Sequence, residues 1–227
     1  VFHDDQHGTA VVVLAALRNA LKLVKKDLAT TKIVLSGAGA AGTAIARLLV
    51  LAGARNIIGF DSSGVINKKS DVSNEMRRWF VDNCNPDQFE GTLSQAIKGA
   101  DIFIGVSAPN VLTESDVQSM AKDAIVFALA NPDPEIDPVL ARKHAAVVAT
   151  GRSDQPNQIN NVLAFPGIFR GLLDAGASKI TDELLVACAD AIASCVSESQ
   201  LNASFIVPSV FDPNVVKSVA DAVKESC

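Results

Sequence analysis

The chain has no tyrosine, a single tryptophan and only four cysteines among its 227 residues. Without a phenol, any proton transfer that needs one must draw it from elsewhere. Cys84, Cys188, Cys195 and Cys227 lack the paired spacing of a thiolate metal site. Cys188 and Cys195 would stand about 10 Å apart along a helix, too far for a disulfide. They read as buried free thiols, and with them comes the expectation of a reducing, cytoplasmic compartment. Basic charge is missing as well. A net charge of −5 argues against a nucleic-acid partner, whose phosphates need a basic face. The apolar runs look too short and too often broken for a membrane span, so none is expected.

What is present is 48% hydrophobic and 20% charged residues, enough apolar surface for a sizeable core in one large domain. Short apolar runs alternate with segments of helical period, the pattern of a parallel α/β sheet. Strands are expected over 32–36, 56–60, 102–106, 124–129 and 146–149, with a weakly written one near 85–92. A helix is expected from about residue 8 to residue 26. Its first half is apolar all round, and Arg18, Lys22, Lys25 and Lys26 share a solvent-facing stripe. Further helices are expected over 40–53, 72–84, 93–98, 114–121, 138–144, 167–175, 181–199 and 213–226. Segment 72–84 is expected to cross to the far face of the sheet. The fold class is therefore α/β: a Rossmann-type, doubly wound, mostly parallel sheet with helices on both faces and a C-terminal helical segment packed back on it.

The stretch Gly37-Ala38-Gly39-Ala40-Ala41-Gly42 follows an expected strand and opens a helix. Gly37 allows a tight turn, Gly39 allows close approach of a pyrophosphate, and Gly42 allows helix and strand to pack closely. The helix start offers unpaired N–H groups and the positive end of its dipole to the phosphates. Asp61 ends the next strand, about 20 residues further on, where an acidic group can accept hydrogen bonds from an adenosine ribose. The alternative is a tight α/β turn with an incidental surface aspartate. Asp61 favours NAD, because a 2′-phosphate would meet its charge. Ser62, Ser63 and Gly64 bring no neighbouring cation, although Lys68 and Lys69 are within a loop's reach, so NADP is not excluded.

Each expected strand also ends on a polar or turn residue: Ser36, Asp61, Ser107, Asn131, then Gly151-Arg152-Ser153. In an open parallel sheet these carboxyl ends line the crevice where ligands bind. Asn131 precedes Pro132, which biases it to extended backbone. It can donate to a carboxylate or simply make an Asn-Pro turn. Residues 151–161 are almost wholly polar between two apolar runs, which suits either a ligand wall or a solvated loop. At the start, Asp4 and Asp5 stand between His3 and His7 just ahead of the apolar helix.

The strings FHDDQHGTA, GAGAAG, GVSAPNVLT, FALANPDPEI, ATGRSDQPNQINNVLAFPGIFRG and ITDELLVACADAIA together resemble the malic enzyme family in its shorter bacterial form, along essentially the whole chain. One departure is Asn110, where the family's turn would carry glycine. The resemblance implies oxidation of malate by NAD or NADP, with release of CO2 to leave pyruvate, assisted by Mg2+ or Mn2+. It implies that Asp5 is a metal ligand and that Asp4 is a catalytic-site residue orienting a lysine. Asn131, Asn160 and Asn161 would hold malate. Gly37, Ala38, Gly39, Ala40, Ala41, Gly42, Asp61, Ser107, Asn131 and Asn160 would hold the cofactor. Residues 1–9 would then be the junction with a substrate and metal domain carrying a tyrosine acid, a lysine base and a Glu-Asp pair, and residues 10–227 the cofactor domain. The chain would be a fragment inactive alone, part of a dimer or larger assembly. A non-catalytic nucleotide-sensing module or another Rossmann enzyme, such as an amino-acid dehydrogenase, shares the glycine loop.

Overall fold

The computed structural model describes residues 2–72 and 74–227. Its strands are β1 (Lys32–Ser36), β2 (Asn56–Asp61), β3 (Gly64–Val65), β4 (Ile102–Gly105), β5 (Ile125–Ala128) and β6 (Val147–Thr150). They form one sheet in the order β3-β2-β1-β4-β5-β6, parallel throughout except for β3. The helices are α1 (Thr9–Val24), α2 (Ala40–Leu51), α3 (Glu75–Asn83), α4 (Leu93–Ile97), α5 (Glu114–Gln118), α6 (Pro138–Ala141), α7 (Phe165–Ala175), α8 (Asp182–Ser194) and α9 (Pro213–Ser226).

Side chains alternate across the sheet, as strand geometry requires. Ile33, Leu35, Ile57, Ile104 and Phe127 face a large core with α1, α2, α7 and α8. Val34, Ile58, Phe103, Val126 and Val148 face a smaller core built from residues between 89 and 145. Both faces are covered, which is why β4, β5 and β6 are buried at every position and apolar at all but Thr150.

Three expectations about the elements change. No strand forms at 85–92. Asn85, fully buried, donates from its amide to Ile66 O (3.1 Å) and Phe89 O (3.0 Å) and accepts from Phe89 N–H (2.7 Å). Those backbone groups are thereby taken from any ladder, and the sheet edge is the short antiparallel β3 instead. Helix α3 does not cross the sheet either; Phe80 packs over Gly59 of β2 within the large core, on the same side as α2. The passage to the far face is made by the turn after it, where Phe89 reaches the smaller core. (Of the expected helix 72–84, residue 73 lies outside the described residues.) Finally, α8 ends at Ser194 rather than 199, because Gln200 Oε1 accepts from Ser197 N–H (3.1 Å) and Oγ (2.8 Å) and builds a turn there.

The helical run Asp4–Val24 is 21 residues and, against expectation, long and apolar enough to cross a bilayer by length and composition; 67% of its apolar window is buried inside the protein. It is a core helix, packed between the sheet and α8. Part of its cationic stripe is paired, Arg18 with Asp190 at 3.0 Å and Lys26 with Asp101 at 2.8 Å. Burial pushes the thiols of Cys84 and Cys188 up to about 12, as expected of inert core cysteines, whereas Cys195 is half-buried and Cys227 exposed.

The tail is fastened by buried amides. Asn19 Nδ2 donates to Ala193 O (3.0 Å) and Ile206 O (2.9 Å). Asn157 Nδ2 donates to Val148 O (3.0 Å) and Ala203 O (2.8 Å), and its Oδ1 accepts from Ile206 N–H (3.0 Å). Asn157→Ala strands three backbone groups, at least two of them buried, and is expected to lower unfolding free energy by about 2–4 kcal/mol, read from urea denaturation. A loss below about 1 kcal/mol would show that water replaces the amide.

Candidate cofactor and reaction cleft

The β1–α2 turn shows why its glycines are there. Gly37 has φ +106°, and a Cβ on it would lie 2.5 Å from Val106 O. A Cβ on Gly42 would lie 1.8 Å from Gly37 O. Gly39 has no protein atom within 4 Å of a Cβ position and is exposed, so the open side of the turn is free for a ligand's close approach. Gly39 also caps α2 without a side-chain hydrogen bond, leaving the N–H groups of Ala40, Ala41 and Gly42 to a phosphate. The residues therefore fit a dinucleotide's pyrophosphate.

Gly37 N–H donates to Phe60 O at 2.8 Å, which sets Asp61 directly beside this turn. Asp61 Oδ1 accepts from Ser63 N–H (2.8 Å) and Ser63 Oγ (2.6 Å). Its Oδ2 accepts from Arg77 Nη1 on α3. The aspartate thus has a cation partner that lies 16 positions away in sequence. Lys69 pairs with Glu90 instead. Asn110 adopts φ +57°, the left-handed conformation that asparagine tolerates.

A cleft of about 660 Å³ opens at the carboxyl ends of β4, β5 and β6. Asp4, Asp5, Ser107, Asn131, Asn160 and Asn161 line it, and Ala41 of the helix start joins them. Asp61 is outside this lining, on the far side of the glycine turn. Asp4 and Asp5 lie in a single π-turn continuous with α1. Asp4 Oδ1 is buried without a hydrogen-bond partner among the described residues. Its Oδ2 and backbone oxygen accept from Asn161 Nδ2 (3.3 and 3.2 Å), and Asn161 Oδ1 accepts from Thr9 Oγ1 (3.1 Å). Both N–H donors of Asn161 therefore orient Asp4, and it keeps only an acceptor lone pair for a ligand. Among the described residues, the Asn131 side chain makes no hydrogen bond, and that of Asn160 uses only its Oδ1, accepting from Val162 N–H (3.1 Å). These two amides retain free donors. His7 Nδ1 accepts from His3 N–H (2.9 Å), and neither histidine lines the cleft.

The polar segment 151–161 divides. Asn157 is structural, and Arg152 pairs with Asp154 (2.7 Å) and faces a separate hollow with Asp133 and Gln155. Only residues 151 and 159–161 reach the cleft.

Glu135 had no sequence signal beyond standing in the Pro-Asp-Pro-Glu turn. It is fully buried. Its Oε1 accepts from Ser107 N–H (2.8 Å) and Oγ (3.3 Å), and its Oε2 from Ala130 N–H (3.0 Å). Gly105 leaves room for this carboxylate, since a Cβ there would lie 2.3 Å from Glu135 Cδ. Burial raises its pKa, while the N–H groups of Ala130 and Ser107 oppose the rise. Ser107 Oγ also meets Ser36 Oγ at 2.9 Å. One carboxylate thus ties the ends of β4 and β5 and holds Ser107 and the Ala130-Asn131 wall in place.

Comparison with known proteins bears on this cleft. The family model described as "Malic enzyme, NAD binding domain" matches residues 6–227. The NAD-dependent malic enzyme of Geobacillus stearothermophilus is 57% identical over 226 residues, covering 100% of this chain and 47% of that protein. An NADP-dependent malic enzyme of Salmonella typhimurium is 44% identical over 246 residues, covering 100% and 32%. The crystal structure of an NAD-dependent malic enzyme from Thermotoga maritima superposes with a TM-score of 0.93 at 45% identity, covering 99% of this chain and 59% of that one. The chain spans about half the length of the curated relatives it matches.

Glu135→Ala leaves two backbone N–H groups without their acceptor. It is expected to cost about 2–4 kcal/mol of stability and to weaken NADH binding about tenfold, the two measured on the same sample by urea denaturation and fluorescence titration. Lost stability with unchanged NADH affinity would show that Glu135 does not position the cleft wall.

Proposed function

The chain belongs to the malic enzyme family, of which it forms the NAD-binding domain, and from that premise we propose that it provides the dinucleotide site and one wall of the reaction site for converting malate to pyruvate and CO2. What supports this reading is the meeting of two aspartates, a serine and two amides with free donors beside an uncapped helix N-terminus, in one cleft. A nicotinamide bound there would supply a hydride acceptor, and Mg2+ or Mn2+ held by Asp5 would supply Lewis acidity.

The chain's own residues divide the remaining work. The N–H groups of Ala40, Ala41 and Gly42 bind the pyrophosphate, and Gly37 and Ala38 shape the turn that lets it approach. Asp61 receives the adenosine ribose. Ser107, Asn131 and Asn160 orient the nicotinamide end. The donors of Asn131 and Asn160 take a malate carboxylate, and Asn161 contributes through Asp4. Asp5, exposed to the cleft, is an oxygen ligand of the kind hard cations prefer. Asp4 offers its buried Oδ1 to an ammonium donor, whose N–H would supply the missing partner. No group of three His, Cys, Asp or Glu side chains stands together among the described residues, and tyrosine is absent. No lysine lines the cleft either, so in this reading the remaining metal ligands, the phenol and the lysine base are supplied by another part of the protein. In this reading the assembly is a cytoplasmic homodimer or larger, with neither nucleic acid nor membrane as partner.

The 227-residue chain is expected to bind NADH in a fluorescence titration yet give no malate-dependent NAD reduction until the rest of the protein is supplied. In the full protein, Asp5→Ala is expected to raise the Mn2+ concentration for half-maximal binding about tenfold or more while NADH affinity stays within about twofold, since only the cation loses a charged ligand. Turnover by the chain alone would overturn the division of labour. Unchanged Mn2+ affinity would favour a nucleotide-sensing role without catalysis.

A further inference from the structure

Asp4 and Asp5 stand in the turn Asp4–Gly8, whose cap is His3. His3 O accepts from Gln6 N–H (3.2 Å) and His7 N–H (2.8 Å), and His3 N–H donates to His7 Nδ1 (2.9 Å). All of these bonds join the turn to its own cap. Among the described residues, and apart from α1 that continues it, hydrogen bonds tie the turn to one other segment only, through Asn161 Nδ2 on Asp4. One amide nitrogen fixes a point and leaves rotation about it.

Phe2 supplies a second point. It directly precedes the cap, and His7 is the fourth residue after it, the two positions of a hydrophobic staple that sets the angle at which a chain enters a helix. Their rings lie 5.3 Å apart, tilted by 30°. The Phe2 ring also meets Phe169 edge-on at 5.5 Å and Phe165 at 6.3 Å. Those two are neighbours on one face of α7, their centroids 4.8 Å apart. Aromatic pairs of this kind add to what burial alone contributes, and Phe2 packs against the large core as well. Segment 161–169 therefore grips the acidic turn twice, by an amide on Asp4 and by rings on Phe2. Phe165 lines the cleft, whereas Phe2 and His7 stand outside its lining.

Resting on the reading of Asp5 as a cation ligand, we propose that Phe2 is a positioning residue for that site: stapled to His7 and seated on Phe165 and Phe169, it holds the Asp4-Asp5 turn against α7 with the Asp5 carboxylate presented to the cleft. Phe2 touches neither the cation nor the nucleotide and acts through Asp5. Losing its ring leaves the carboxylate chemically unchanged but frees it to point away from the cleft. A divalent cation then binds only the fraction of molecules in which Asp5 is correctly aimed, and its apparent affinity falls by that fraction. The glycine turn between β1 and α2, which takes the pyrophosphate, lies outside these ring contacts.

The test measures Mn2+ binding to the full protein from the electron paramagnetic resonance signal of the free ion, without malate or nucleotide, and NADH binding by fluorescence titration. Phe2→Ala is expected to raise the Mn2+ dissociation constant about tenfold, the usual loss when a group that orients a ligand is removed, while NADH affinity stays within about threefold. Phe2→Tyr, which keeps the ring, is expected to bind Mn2+ within about threefold of the unaltered protein. Because Phe2 acts through Asp5, adding Phe2→Ala to Asp5→Ala is expected to weaken Mn2+ by less than about twofold further. Should Phe2→Ala fail to fold, judged by circular dichroism, His7→Ala removes the other half of the staple and carries the same expectations in both backgrounds. Three results would overturn the proposal and leave the cation reading standing. They are Mn2+ affinity lowered by Asp5→Ala but not by Phe2→Ala or His7→Ala, equal losses from Phe2→Ala with and without Asp5, and a loss in Phe2→Tyr as large as in Phe2→Ala. Mn2+ affinity unchanged by Asp5→Ala would overturn both.

Discussion

A side chain at position 42 would place its Cβ 1.8 Å from Gly37 O, and the clearance that glycine leaves there brings the N-terminus of α2 over the carboxyl ends of β1 and β4. The cleft at the strand ends lies beside that contact, with Ala41 of α2 in its lining. The open N–H groups of α2 face the sheet edge, Gly39 presents no atom that blocks them, and Gly37 anchors the turn to Phe60 O. Asp61 and the β2–β3 hairpin are brought alongside as a consequence. A parallel sheet sends all its strand ends to one edge, so ligand groups attached to different strands meet there without further machinery.

Two carboxylates inside that frame are held by opposite means. Glu135 is enclosed and accepts from the backbone of two strands, so it behaves as a tie between β4 and β5. Asp4 is held by Asn161, itself steadied by Thr9, yet one of its oxygens is left buried without a donor. A buried acceptor without a partner is costly, and the reading of Asp4 as the acceptor of an incoming ammonium follows from that imbalance. Asn161 thereby belongs with the aspartate it orients, while Asn131 and Asn160 keep the donors that face the cleft.

Repetitive local rules made much of this readable in the residues. Short continuous apolar runs mark the middles of β1, β2, β4, β5 and β6 because strands covered on both faces bury side chains of either parity. The glycine turn is legible because Gly37 and Gly42 answer local steric demands. The polar strand ends pointed to the right edge, since chain direction alone places them there. Residues 85–92 misled because Asn85 removes backbone groups from pairing through contacts that composition does not reveal. The cationic stripe of α1 reads as solvent-facing, yet Arg18 and Lys26 are matched by Asp190 and Asp101 from distant segments.

Chain pattern therefore settled the fold class, the glycine turn between β1 and α2 and the set of polar strand ends, because each depends on neighbours within one turn or one strand. The neutralisation of Asp61 by Arg77, the burial of Glu135 beneath Ser107 and the engagement of Asn161 with Asp4 came only with packing. Each joins residues from different elements, and the energy of such a contact depends on how helices and strands are set against one another in space, which spacing along the chain does not encode.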